Sequence, residues 1–161
     1  MSIARAHTFH AQKLLVPVDF SPSSQEALEA ALDLAETFAS ERYLLHIVPT
    51  FPVVPTLDGP TCVWPEEEFV QEALDRTKKR LTGLTEEYKS RGINASDSVE
   101  TGDDVVRNIM RIAEREHVDL LVISTHGISG WRPMVFGSIA EKVIKLAGCP
   151  VVLLRARPPA V

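Results

Sequence analysis

Five short apolar runs, separated by four stretches of helical period, dominate this chain and leave few folds open to it. The runs are Lys13 to Val18, Tyr43 to Val48, Ile93 to Glu100, Asp119 to Ser124 and Pro150 to Arg155. After the first, Leu28, Ala31, Leu32, Ala35 and Phe38 recur at the three-and-four spacing of one helix face. Ser21 is the expected N-cap of that helix, with Pro22 at its first position, where a missing N–H costs nothing. Val70, Leu74, Thr77, Leu81, Leu84 and Tyr88 mark a second helix, opened by Pro65 and Glu66 to Glu68 and closed at Gly92. Thr101-Gly102-Asp103 reads as a turn and cap before a third helix carrying Val105, Val106, Ile109, Ile112 and Ala113. Ser138 to Ala147 forms a fourth, ended by Gly148.

Near-continuous apolar strands alternating with helices need cover on both faces. This predicts an α/β fold, a doubly wound five-stranded parallel sheet with four helices. Each strand–helix–strand crossover is expected to be right-handed, as about 98% are. Ile93 to Glu100 alternates enough to be a half-exposed edge strand. From Pro49 to Pro65, five prolines and Gly59 leave no period of either kind, and a long loop is expected there.

At 161 residues the chain has room for one domain, expected over 13–155, with flexible tails at 1–12 and 156–161. A net charge of −5 argues against broad nucleic-acid binding, which needs a basic face. No run of about 18 apolar residues predicts a membrane-spanning helix. Met1 to Gln12 lacks the apolar core of a secretory leader, so a cytoplasmic location is expected. Cys62 and Cys149, far apart, offer neither a disulfide framework nor a zinc site. His7 and His10 are only two candidate ligands and make a weak metal site.

Ligands of open parallel sheets sit beyond the carboxyl ends of the strands, where strand order reverses. Candidate residues therefore follow the strands: Asp19 after the first, Val48 after the second, Ser124 to Gly130 after the fourth. Gly127 and Gly130 let backbone approach a bulky anion, and Gly137-Ser138 opens the last helix, whose first N–H groups suit an anion. Ser138 to Glu141 also reads as a capping box, with Ser138 as a simple N-cap. Neither GxGxxG nor a GxxxxGK loop ending in Ser or Thr is present, and the G-x-S-x-G elbow is missing.

LLVPVDFSPSS at the first strand, DLLVISTHG at the fourth, and Gly127, nine residues, Gly137-Ser138, then IAEKVIKLAGCPVVLLR together resemble the universal stress protein (UspA-like) family across Lys13 to Arg155. The resemblance implies a Rossmann-like, adenine nucleotide alpha hydrolase-like sheet ordered 3-2-1-4-5, a homodimer and, in one branch, an ATP site. That branch carries G-x-x-G, nine residues, then G and Ser or Thr. Here Ser124 replaces the first glycine and the other three positions match.

Carried over, the resemblance places Pro17, Val18 and Asp19 beside the adenosine and Val48 against the base, with Ile123 next to them. Gly127, Gly137, Ser138 and Ile139 would hold phosphates through N–H groups and a hydroxyl, with Ser124 and Gly130 in the same loop. Arg132 would clamp a phosphate or face solvent. Asp19 would orient the ribose or, through water, a Mg²⁺ travelling with the phosphates, or would simply cap a turn. His126 reads as a hydrogen-bonding residue and Trp131 as packing or a water shield.

The leading function is binding of ATP, with AMP and ADP as the other adenine nucleotides, in a homodimeric stress-response or signalling protein that pairs through Pro150 to Arg155 and leaves room for a protein partner. No enzyme activity is expected beyond slow ATP hydrolysis, because no general base or arginine finger accompanies the loop. Two alternatives stay open: a nucleotide-free dimeric interaction module, favoured by Ser124, and an ATP-hydrolysing or adenylyl-type enzyme, disfavoured by the lack of HIGH-type and SGGxDS sequences.

Overall fold

The computed structural model describes residues 11–50, 53–56, 59–62, 67–125 and 137–155, with backbone alone at 53–56, 59–62 and 69. Its strands are β1 (Lys13–Pro17), β2 (Glu41–Val48), β3 (Val53–Thr56), β4 (Gly59–Cys62), β5 (Ala95–Thr101), β6 (Leu120–Ser124) and β7 (Val151–Leu154). Its helices are α1 (Pro22–Phe38), α2 (Glu67–Ser90), α3 (Val105–Arg115) and α4 (Ser138–Leu146). The main sheet runs β5-β2-β1-β6-β7, all parallel, which is the 3-2-1-4-5 order of its five strands.

Alternation along the strands divides the core in two, because successive side chains point to opposite faces. Leu14, Val16, Leu44, Leu120 and Val122 pack with α1 and α2, through Leu28, Ala31, Ala35, Leu81 and Tyr88. Leu15, Tyr43, Leu45, Ile47, Leu121 and Ile123 pack with α3 and α4, through Val106, Ile109, Ile112 and Val143. The order reverses between β1 and β6, and a ligand crevice belongs at their carboxyl ends.

Ser21 caps α1 as expected, accepting the Ser24 amide at 3.2 Å, and Pro22 opens the helix. Two caps fall one residue from the expected place. Asp104, not Asp103, caps α3, because its carboxylate accepts the Arg107 amide at 3.0 Å. Gly137, not Ser138, is the N-cap of α4 and brings no side-chain bond, so the capping box does not form; Glu141 instead bonds Lys145 one turn on.

The stretch expected to be a long loop contains a two-stranded antiparallel ribbon, β3 with β4. Val53, Val54, Thr56 and Thr61 favour extended backbone. Pro55 faces Pro60, a pairing that suits two residues with no N–H to exchange. β5 lies at the sheet edge and is half-buried along most of its length, as its pattern predicted. The expected amino-terminal tail reaches into the described residues at Ala11 and Gln12, and Ala11 is fully buried there. The rest of that tail and the whole of 156–161 lie outside the described residues, as do His7 and His10. No helix among the described residues is long and apolar enough to cross a membrane.

Candidate functional site

A cleft of about 410 Å³ opens where β1 and β6 part, within the usual range for small-molecule sites of about 300–1,000 Å³. Pro17, Val18 and Asp19 form one wall, and Ile123, Ser124 and Thr125 the wall facing it. β2 contributes Leu45, His46 and Ile47; α3 contributes Val105 and Ile109; the start of α4 contributes Gly137 to Ala140. The walls are mostly aliphatic. Polar groups gather at the strand ends and at the α4 start.

α4 begins with its donors open. Its first intrahelical bond here runs from the Glu141 amide to the Gly137 carbonyl at 3.0 Å, and no side chain caps the helix. The Ser138, Ile139 and Ala140 amides precede that bond, so they carry the positive end of the helix dipole to the cleft rim. Gly137 does not join them. Its N–H donates to the Thr125 carbonyl at 2.8 Å, which ties α4 to the end of β6 and takes that amide out of the expected phosphate-binding set. Gly137 has φ −62° and ψ 148°, extended backbone that any residue can adopt.

Asp19 meets the simpler of its two expectations in full: its Oδ1 accepts the Ser21 amide at 3.0 Å and closes the turn before α1. It also lines the cleft. Among the described residues, no group of three or more His, Cys, Asp or Glu converges as a metal site.

Eight of the expected site residues thus come together: Pro17, Val18, Asp19, Ile123, Ser124, Gly137, Ser138 and Ile139. Val48 does not line the cleft; Ile47 does. Ile47 packs with the α3 and α4 core. The Val48 carbonyl accepts the Gly102 amide at 3.2 Å and serves the β2–β5 ladder. Gly127, Gly130, Arg132, His126 and Trp131 lie outside the described residues.

His46, Val105 and Ile109 also line the cleft and were not expected at the site, whereas Thr125 falls within the expected stretch Ser124 to Gly130. For the two α3 residues the signal was present, since the apolar stripe of α3 must face the sheet next to β2. His46 is the one polar residue in the run YLLHIV, and that interruption was its only mark. Its Nδ1 lies 2.6 Å from the Val18 carbonyl oxygen. A carbonyl only accepts, so the proton sits on Nδ1. Burial pushes the His46 pKa below its ordinary value and the Arg80 charge adds to this, while the Val18 carbonyl and Asp19 act the other way.

The model of the universal stress protein family matches residues 10–155. The chain belongs to the universal stress protein family. Universal stress protein YxiE of Bacillus subtilis is 33% identical over 147 residues, covering 89% of this chain and 98% of that relative. Among solved structures, universal stress protein UspA from Lactobacillus plantarum superposes with a TM-score of 0.72 at 22% identity, over 91% of this chain and 99% of that one. The universal stress protein from Archaeoglobus fulgidus in complex with dAMP superposes with a TM-score of 0.58 at 20% identity, over 91% of this chain and 98% of that one. At these identities the two structures speak for the universal stress protein fold, and the cleft lies at its topological switch point.

Proposed function

We propose that this universal stress protein binds an adenine nucleotide in the cleft and acts in the stress response as a homodimer, in the cytoplasm. The observation that carries the reading is the α4 start, whose uncapped amides meet an aliphatic cleft of nucleotide size. The aliphatic walls from β2 and α3 accept a flat base. The Ser138 to Ala140 amides and the Ser138 hydroxyl donate to phosphate oxygens, a role that helix starts fill without any excess of basic side chains. The dAMP complex of the Archaeoglobus fulgidus relative supports the ligand class.

ATP is the nucleotide proposed, with AMP and ADP as lesser ligands, and Gly127, Gly130 and Arg132 as further phosphate contacts. Mg²⁺ would arrive with the polyphosphate and take Asp19 through water, a fit for one carboxylate and phosphate oxygens. The protein binds rather than turns over its ligand. In the described cleft, Asp19 accepts the Ser21 amide and the Nδ1–H of His46 is committed to the Val18 carbonyl, so both serve the β1 exit turn.

Calorimetry on nucleotide-stripped protein tests this directly. ATP and AMP should each give saturable heats, and Gly137→Val, which the extended backbone allows but which adds a branched side chain to the cleft lining, should abolish them while circular dichroism stays unchanged. Absence of binding by both nucleotides at millimolar concentration overturns the reading in favour of a nucleotide-free interaction module.

A further inference from the structure

The turn that leaves β1 is strained. Phe20 has φ 60°, in the left-handed region, where its Cβ crowds the backbone and where bulky residues are genuine outliers. Such a residue persists only when its surroundings hold it. Asp19 and Ser21, which flank it, are joined by the carboxylate-to-amide bond. The sheet ladder gives out just before, at the Val18 amide, which reaches the Leu45 carbonyl at 2.8 Å.

What holds the turn comes from two other elements. From β2, the His46 ring donates to the Val18 carbonyl at 2.6 Å and lies 5.0 Å from the Phe20 ring centroid, tilted by 32°. From α2, the Arg80 guanidinium carbon sits 4.0 Å from that same centroid. His46 touches both the backbone before Asp19 and the side chain after it, and it also lines the cleft.

We propose that His46 is a positioning residue for the nucleotide cleft: its Nδ1–H and its ring face fix the strained β1 exit turn so that Val18 and Asp19 are presented to the ligand. The proposal rests on the adenine-nucleotide reading and names a residue that acts through others. The side chain must do two things within a largely apolar wall, donate one hydrogen bond close to its own Cβ and offer a flat face to Phe20. Leucine does neither and leaves the carbonyl of the buried Val18 short of its donor. Asparagine places an amide N–H where Nδ1 stands, and phenylalanine keeps a face without the proton.

The test uses the full chain, stripped of nucleotide, with ATP as probe and with ¹⁵N spectra of the ring and backbone. The wild type should show the Nδ1-protonated neutral ring. His46→Phe should weaken ATP about tenfold, the size of one lost hydrogen bond, His46→Leu, which also loses the ring face, should weaken it further, and both should shift the Ser21 amide that Asp19 holds. His46→Asn should return affinity to within about threefold of wild type, most of one hydrogen bond regained, with the Ser21 amide restored. An Nε2-protonated ring, a leucine variant with wild-type affinity, or an asparagine variant no better than the phenylalanine one overturns the proposal. If the wild type binds no ATP, the nucleotide reading falls and the positioning role with it. The Ser21 amide in the three variants then shows whether the account of the turn was also wrong.

Discussion

The carboxylate of Asp119 accepts the backbone amide of Lys13 at 3.0 Å, and with the same oxygen the amide of Gln12 at 2.9 Å. A residue just ahead of β6 thereby fixes the start of β1, across the two strands whose divergence opens the cleft. The Asp119 amide returns the contact, donating to the Lys13 carbonyl at 3.0 Å. Asp119→Ala leaves two amides without their charged acceptor and should cost about 1–3 kcal/mol. Chemical denaturation should show the midpoint falling with an unchanged slope. A loss below about 0.5 kcal/mol, the low end for a single hydrogen bond, would mean that water replaces the carboxylate at no cost.

His46 also makes stability depend on pH. Its folded pKa is depressed, chiefly by burial, so the unfolded chain binds its proton more readily than the folded one. Above the unfolded value of about 6.5 both states are neutral at this residue and it contributes no slope. As pH falls below that value the unfolded state gains the proton first, and stability drops until the folded pKa is passed. Urea melts of wild type and His46→Asn at pH 7.5 and pH 5 should show the wild type losing more. Equal losses would assign the acid sensitivity to other groups.

The strand and helix order was legible because both faces of the sheet are covered, which writes each buried strand as an apolar run and each helix as a 3.6-residue stripe. The place of the cleft followed from topology alone. What stayed hidden is finer than a run of residues can carry. In YLLHIV every position but one is apolar, so hydropathy leaves no trace of which of Ile47 and Val48 lines the cleft. Gly137 and Ser138, like Asp103 and Asp104, are neighbouring residues that both suit an N-cap, and only the backbone chooses between them. The acceptor of His46 is a carbonyl on another strand, and carbonyls have no signature in sequence.

Two glycines of the α2 region should respond to the same substitution with opposite signs. Gly92 follows α2 with φ +78°, and its amide bonds the Lys89 carbonyl at 2.9 Å. Gly83 lies within the helix, exposed. An added Cβ meets nothing within 4 Å at either position, so the difference is purely conformational. Gly92→Ala should destabilise by about 1 kcal/mol, the cost of a side chain in the left-handed region. Gly83→Ala should stabilise by about 0.5–1 kcal/mol, the helix preference for alanine over glycine. Thermal unfolding of the two variants checks both signs at once.

The proposed dimer has a specific point of failure in β7. This strand ends the sheet, and all four of its residues are half-buried. The Pro150 and Leu154 carbonyls accept the Leu121 and Thr125 amides, so alternate residues of β7 turn their backbone toward β6. Val151 and Leu153 therefore turn theirs outward, where a two-fold copy of the strand can pair with them. Sedimentation at micromolar concentration should give twice the 17.8 kDa of one chain. Val151→Pro removes an outward N–H while leaving the bonds to β6 in place, and it should give a folded monomer. A wild type that sediments as a monomer, or a proline variant that still pairs, would move the interface away from β7.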